Sequence, residues 1–332
     1  MVSSKSLVKD LFQLKELPRP PFIPWVSSFA ARLEQVSVRQ MLSDATLLSR
    51  SLANAQSLFG YDAIISGFDP SVEAEACGCR TVWGAEGELP TVASHPLREG
   101  ATIEDLRLSE IEKRGRLPVV LESVRRLGIT KGRDVALIGV ITGPLTLAAH
   151  LRGSINDTYT GESTGEVVEV IRLAGKAAVR LCRAYCELGA DVVALADEML
   201  GRADPTLLRE VASIIRTVHN IAGYYNAHTM VVARESSQDN IDSILEVEAD
   251  GLAVPGHTSY IQTEGSRLTD SRCFSMTIPT SALLGTSDEI RKAAEERLAV
   301  WGKRRMFLST EWDVPYQTAP DNMHELMRAI RQ

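Results

Sequence analysis

Residues 135–153 read VALIGVITGPLTLAAHLRG. The apolar run Val135 to Ile141 stops at Thr142-Gly143-Pro144, and a helical apolar pattern (Leu145, Ala148, Ala149) begins at once. This spacing predicts a β-strand feeding a helix through a two- or three-residue turn. Gly143 permits unusual backbone angles there, and Pro144 suits the first helical position, where its missing N–H costs nothing. In an α/β protein such a turn lies at the carboxyl end of a strand, where binding and chemistry are placed.

Outward from this unit, strand and helix patterns alternate. The candidate strands are Ala63–Phe68, Val135–Ile141, Val192–Ala196, Ala222–Ala227, Gly251–Val254, Phe274–Ile278 and Met306–Ser309. Helical patterns fall near 117–127, 145–153, 164–188, 205–219, 238–247, 287–301 and 320–331, with starts at Asp204-Pro205 and Ser287-Asp288-Glu289. Such alternation predicts a parallel sheet wrapped by helices. No GxGxxG opens a helix, which disfavours a dinucleotide-binding sheet. The expected fold is a single-domain (β/α)8 TIM barrel over residues 39–332, its eighth strand hidden from pattern reading. Residues 76–116, with Gly78, Gly84, Gly87, Pro90 and Pro96, read as a lid or hairpin inserted after the first strand. Residues 1–38 read as an N-terminal extension, because Leu17 to Trp25 (LPRPPFIPW) is too rich in proline for a central strand. A helix is expected from Val38 to Phe59, stopped by Gly60.

Composition narrows the function classes. The chain has 332 residues, 44% of them hydrophobic and 24% charged, enough for a full core. A net charge of −7 and the lack of a basic, aromatic-interleaved patch argue against nucleic-acid binding. No apolar run approaches the roughly 20 residues of a membrane span, and residues 1–12 lack a signal-peptide core. The five scattered cysteines fit a reducing cytoplasm, the expected location. Cys182 and Cys186 are expected to pack in the core of their helix.

The strand ends supply the candidate site. Asp69, Glu73 and Glu75 follow the first strand, and Asp197 and Glu198 follow the third. Adjacent carboxylates at a strand end face solvent or pair with a cation or metal, because burying them alone is costly. The fourth predicted strand ends Tyr224-Tyr225-Asn226-Ala227-His228-Thr229, and His257 follows the fifth in VPGHTSY. Glu311, Trp312 and Asp313 follow the last. His228 can serve either in a metal site with His257 and Glu311, or without a metal as general acid or base.

The GPLTLA turn, the Val72-Glu-Ala-Glu-Ala76 run and the ending Asp313-Val314-Pro315 resemble the uroporphyrinogen decarboxylase superfamily. The VEAEA run is similar to its methylcobalamin:coenzyme M methyltransferase branch. The resemblance implies a methyltransferase moving a methyl group between a corrinoid, either free methylcobalamin or one on a partner protein, and a small donor or acceptor. Placement after successive strands assigns Asp69, Glu198 and His228 to catalysis and Glu73, Gly143, Tyr225, Asn226 and Trp312 to the substrate. Zinc methyltransferases of this branch carry a His-x-Cys pair and a later cysteine. By position those fall on Asn226, His228 and Trp312, so the inherited zinc ligands are not retained. The decarboxylases proper carry an arginine-rich motif after a Pro-Pro pair, whereas Pro20-Pro21 here is followed by Val26-Ser-Ser-Phe-Ala-Ala31 and only Arg32. Recognition of several carboxylates needs guanidinium forks. A uroporphyrinogen-decarboxylase-like enzyme is therefore the second reading, and a non-catalytic binder of a corrinoid or tetrapyrrole the third.

Overall fold

The computed structural model describes residues 3–153, 165–234, 244–245, 247–254, 271–301 and 305–331. Ten strands occur among them: β1 (Phe22–Trp25), β2 (Ala63–Ile65), β3 (Thr81–Val82), β4 (Thr91–Val92), β5 (Ala136–Thr142), β6 (Val192–Asp197), β7 (His228–Ala233), β8 (Gly251–Ala253), β9 (Cys273–Ile278) and β10 (Met306–Asp313). Eight of them form one parallel sheet in the order β1-β10-β9-β8-β7-β6-β5-β2. Its ends meet where the Asp62 N–H donates to the Phe22 carbonyl at 2.9 Å, and the Phe22 N–H donates to the Asp62 carboxylate at 2.8 Å. The result is a TIM barrel nearly closed on itself. The antiparallel β3–β4 hairpin stands apart, within the expected insertion.

The strand hidden from pattern reading is β1, inside the proline-rich segment expected to lie outside the sheet. Pro21 and Pro24 are tolerated because β1 is short and its pairing with β10 shifts register between Ile23 and Trp25. A bulge of this kind frees a residue from the ladder. The segment before it is also structural. Helix α1 (Ser4–Phe12) has Ser3 as its N-cap and turns Leu7, Val8, Leu11 and Phe12 inward. Val8, Leu11 and Phe12 join Ile23, Ala63, Ile138, Ala194 and Met230 in the cluster that fills the barrel. Lys5 pairs with Asp191 at 2.9 Å. The plug therefore sits at the amino-terminal end, away from the functional end of such barrels.

At that end a recurring device sets the register. Asp62, Asp191 and Asp250 each precede a strand and accept the backbone N–H of a neighbouring strand: Phe22 at 2.8 Å, Leu137 at 2.9 Å and Thr229 at 2.8 Å. Arg19 grips Asp62 through two 2.7 Å bonds, balancing a fully buried charge.

Two other expectations are corrected. The predicted helix 38–59 is broken into α2 (Val38–Ser43) and α3 (Ala45–Phe59). Asp44 is extended there and caps α3 by accepting from Thr46 and Leu47 at 2.7 and 2.8 Å. The fourth predicted strand, Ala222–Ala227, is one element out. Helix α4 (Pro205–Tyr224) continues through Ala222, because Val211, Ile215, Val218 and Ala222 form one buried stripe. The chain then turns at Asn226 (φ 59°), and the strand is His228–Ala233. No helix among the described residues is long and apolar enough to cross a membrane.

Candidate active site at the carboxyl end of the barrel

The shift of β7 moves the centre of the expected site. His228 is the first residue of β7, not its exit, so it lies at the amino-terminal end of the barrel. There it stacks on Phe12 of the plug at 5.3 Å and stands 3.6 Å from the Asp250 carboxylate. Tyr225 and Asn226 precede it and share that end. With about 3.3 Å of rise per residue, five residues of strand separate His228 from the mouth by roughly 17 Å. The expectation that His228, Tyr225 and Asn226 face the mouth is therefore wrong in placement. His257 lies outside the described residues.

Asp69, Glu73, Gly143, Glu198, Glu311 and Trp312 do lie on the carboxyl side. Asp69 is buried and accepts from the Ser71 N–H and hydroxyl at 2.9 and 2.7 Å, while its second oxygen meets Arg116. Arg116 also holds Glu75 at 2.6 Å and lies 5.0 Å from the centre of the Trp83 ring on the inserted hairpin. Asp69 thus anchors the insertion to the barrel. Asp197, at the end of β6, is spent on helix α5 (Pro144–Arg152). It accepts the Leu145 and Thr146 N–H groups at 2.9 and 3.2 Å and the Thr146 hydroxyl at 2.8 Å. Gly143 permits this, since a Cβ there would come within 2.2 Å of the Asp197 side chain. Burial raises the Asp197 pKa against these bonds. Glu311 accepts the Thr280 N–H at 2.8 Å. Asp313 accepts the N–H groups of Ser27 and Ser28 at 2.7 and 3.0 Å, and desolvation pushes its pKa up to about 6.

Glu73 is almost completely buried, and both its oxygens meet Thr142, the backbone N–H at 3.0 Å and the hydroxyl at 2.5 Å. Burial lifts its pKa from 4.5 to about 7. The folded chain therefore holds a proton on Glu73 between these two pH values that an unfolded chain has lost. Stability should fall as pH rises from about 4.5 to 7, by about 3 kcal/mol from this group, with the whole penalty present above about 7. Glu73→Gln keeps the bond from the Thr142 N–H and donates to the Thr142 oxygen, whose proton can turn to the Pro70 carbonyl at 3.3 Å. It should be more stable than the parent at pH 8 and match it near pH 4.5, as read from urea midpoints. Parallel pH profiles for the two proteins would contradict this account of Glu73.

Among the described residues at this end, an aromatic wall faces an ion pair. Trp312 stacks on Trp25 (5.8 Å, 15°) and meets Phe68 edge-on (4.6 Å, 86°). Opposite, Glu198 at the end of β6 bonds Arg234 at the end of β7 at 3.0 Å. Trp25, Phe68 and Arg234 escaped sequence reading, the first because its strand was not expected and the last because β7 was misplaced.

A parallel α/β barrel with its polar groups gathered at the strand carboxyl ends defines an enzyme-like class. The uroporphyrinogen decarboxylase (URO-D) family profile matches residues 3–332, and the chain belongs to that family. Among solved structures, a methyltransferase from Methanosarcina mazei superposes with a TM-score of 0.84 at 20% identity, covering 100% of this chain and 99% of that one. Among characterised sequences, the methylcobamide:CoM methyltransferase MtbA of Methanosarcina acetivorans is 27% identical over 157 residues, 47% of this chain and 45% of the relative. The methylcobamide:CoM methyltransferase MtaA of Methanosarcina barkeri is 30% identical over 163 residues, 48% and 45% of the two chains. The chain thus spans less than half the length of these relatives.

The zinc ion associated with the methyltransferase branch does not fit the described residues. No group of three or more His, Cys, Asp or Glu side chains among them could hold a metal. His228 and Glu311 stand toward opposite ends of the barrel, Trp312 offers no lone pair, and the five cysteines are buried and free.

Proposed function

We propose that this protein is a methyltransferase that moves a methyl group between a corrinoid, free or carried by a partner protein, and a small donor or acceptor at the barrel mouth. The observation that carries this reading over decarboxylation is where the arginines are spent. Arg19 is committed to Asp62 at the amino-terminal end, and Arg32 to the carbonyls of Tyr316 and Thr318 at 2.8 and 3.0 Å. Arg116 is held by Asp69 and Glu75. A substrate bearing several carboxylates needs uncommitted forks, and each lost charge-assisted contact costs several kcal/mol. The aromatic wall instead offers a flat apolar face, and the names of the matched relatives support corrinoid-linked methyl transfer.

In this reading Trp312 and Glu198 contact the substrate, Asp69 positions the inserted hairpin, and Glu73 and Gly143 shape the mouth. The test offers the protein methylcobalamin with a thiol, and uroporphyrinogen in a parallel reaction. Methyl transfer is expected, with uroporphyrinogen turnover well below about 1 per second. Efficient decarboxylation without methyl transfer would overturn the reading.

A further inference from the structure

Arg234 has a second contact at the mouth. From the end of β7 it reaches to β10, where its guanidinium carbon lies 5.8 Å from the centre of the Trp312 ring. A cation thus occupies a box with an aromatic floor and a carboxylate wall. The floor is fixed independently of it, because Trp312 rests on Trp25 and Phe68, which are 1% and 2% exposed. The backbone that carries the wall is fixed too, since the Glu198 N–H donates to the Thr146 hydroxyl at 2.8 Å. Arg234 itself is loosely held. Its side chain is 52% exposed, and among the described residues one of its nitrogens bonds Glu198.

We propose that this box binds a methylated cation, a quaternary ammonium or sulfonium group, and that Arg234 is its tethered occupant, displaced when the ligand enters. An onium group has no N–H or O–H to donate, so water competes weakly for it, while an aromatic face and a carboxylate attract it through charge alone. A guanidinium that swings out of the box recovers its hydrogen bond from water. The inference deepens the methyl-transfer reading, on which it rests, by naming the class of the small substrate.

The tether makes an unusual demand on mutants: removing a positive charge that competes for the box should strengthen cation binding. Isothermal titration with tetramethylammonium and with choline should show weak binding to the parent and about tenfold tighter binding to Arg234→Ala. Glu198→Gln should weaken binding about tenfold. Trp312→Leu should abolish it and Trp312→Phe retain it, with melting curves confirming that both variants fold. Propionate serves as the opposing probe. Propionate binding to the parent that is lost in Arg234→Ala, or onium binding no tighter in that variant, would overturn the proposal and make Arg234 an anion anchor. Onium binding in a protein that transfers no methyl from methylcobalamin would uphold this inference and sink the functional reading. Methyl transfer without onium binding would do the reverse.

Discussion

Asp197→Ala is expected to destabilise the protein by about 3–5 kcal/mol. The carboxylate is 2% exposed and accepts four hydrogen bonds, from the N–H groups of Leu145, Thr146 and Met199 and from the Thr146 hydroxyl. Two of those N–H groups belong to the first turn of α5, which has no partners of its own for them. The positive end of the helix dipole favours the same carboxylate. Alanine would strand these donors in a space too tight for easy repair, each costing about 1–3 kcal/mol. Asp197→Asn should fall between, since its amide oxygen still accepts while its NH2 faces other donors. Urea unfolding followed by circular dichroism measures both. A loss below about 1 kcal/mol for alanine would mean that water enters and satisfies the turn.

The Gly143-Pro144 turn was legible because glycine, proline and an abrupt change of period coincide at one point. The parallel order of the sheet followed from the alternation of strand and helix patterns. β1 was not legible, since its prolines argue locally against a strand and only pairing with β10 and the Asp62 bond compensates. The β7 error has a similar origin. Ala222-Gly-Tyr-Tyr-Asn-Ala227 carries strand-like aromatics, but the buried helical stripe runs through Val218 to Ala222, the helix itself continues to Tyr224, and the turn residue is Asn226. A displacement of six residues then carried His228 from one end of the barrel to the other. Glu198 and Trp312 kept to the carboxyl end because the starts of their strands were set correctly, although β10 runs on through Asp313 and includes Trp312. Asp69 and Asp197 were found at strand ends, but their partners, Arg116 and the start of α5, lie in other segments and emerge only with the fold.

In the proposed function the chemistry belongs to the carboxyl-end mouth, with Trp312 as its floor and His228 outside it. Trp312→Leu removes the face against which a ligand rests and releases Arg234 from its stack, while Trp25 and Phe68 keep the barrel filled beneath. A loss of ligand positioning on this scale costs about 100-fold in rate. His228→Ala trims a side chain at the plugged end, where it touches Phe12 and Asp250, and should cost stability before rate. The deciding measurement is the initial rate of methyl transfer between methylcobalamin and a small thiol, compared across the parent, Trp312→Leu and His228→Ala at matched folded fraction. A drop of about 100-fold is expected for Trp312→Leu, and a rate within about threefold of the parent for His228→Ala. A His228→Ala protein that is folded but inactive, beside a Trp312→Leu protein of parental rate, would place the chemistry at the other end of the barrel.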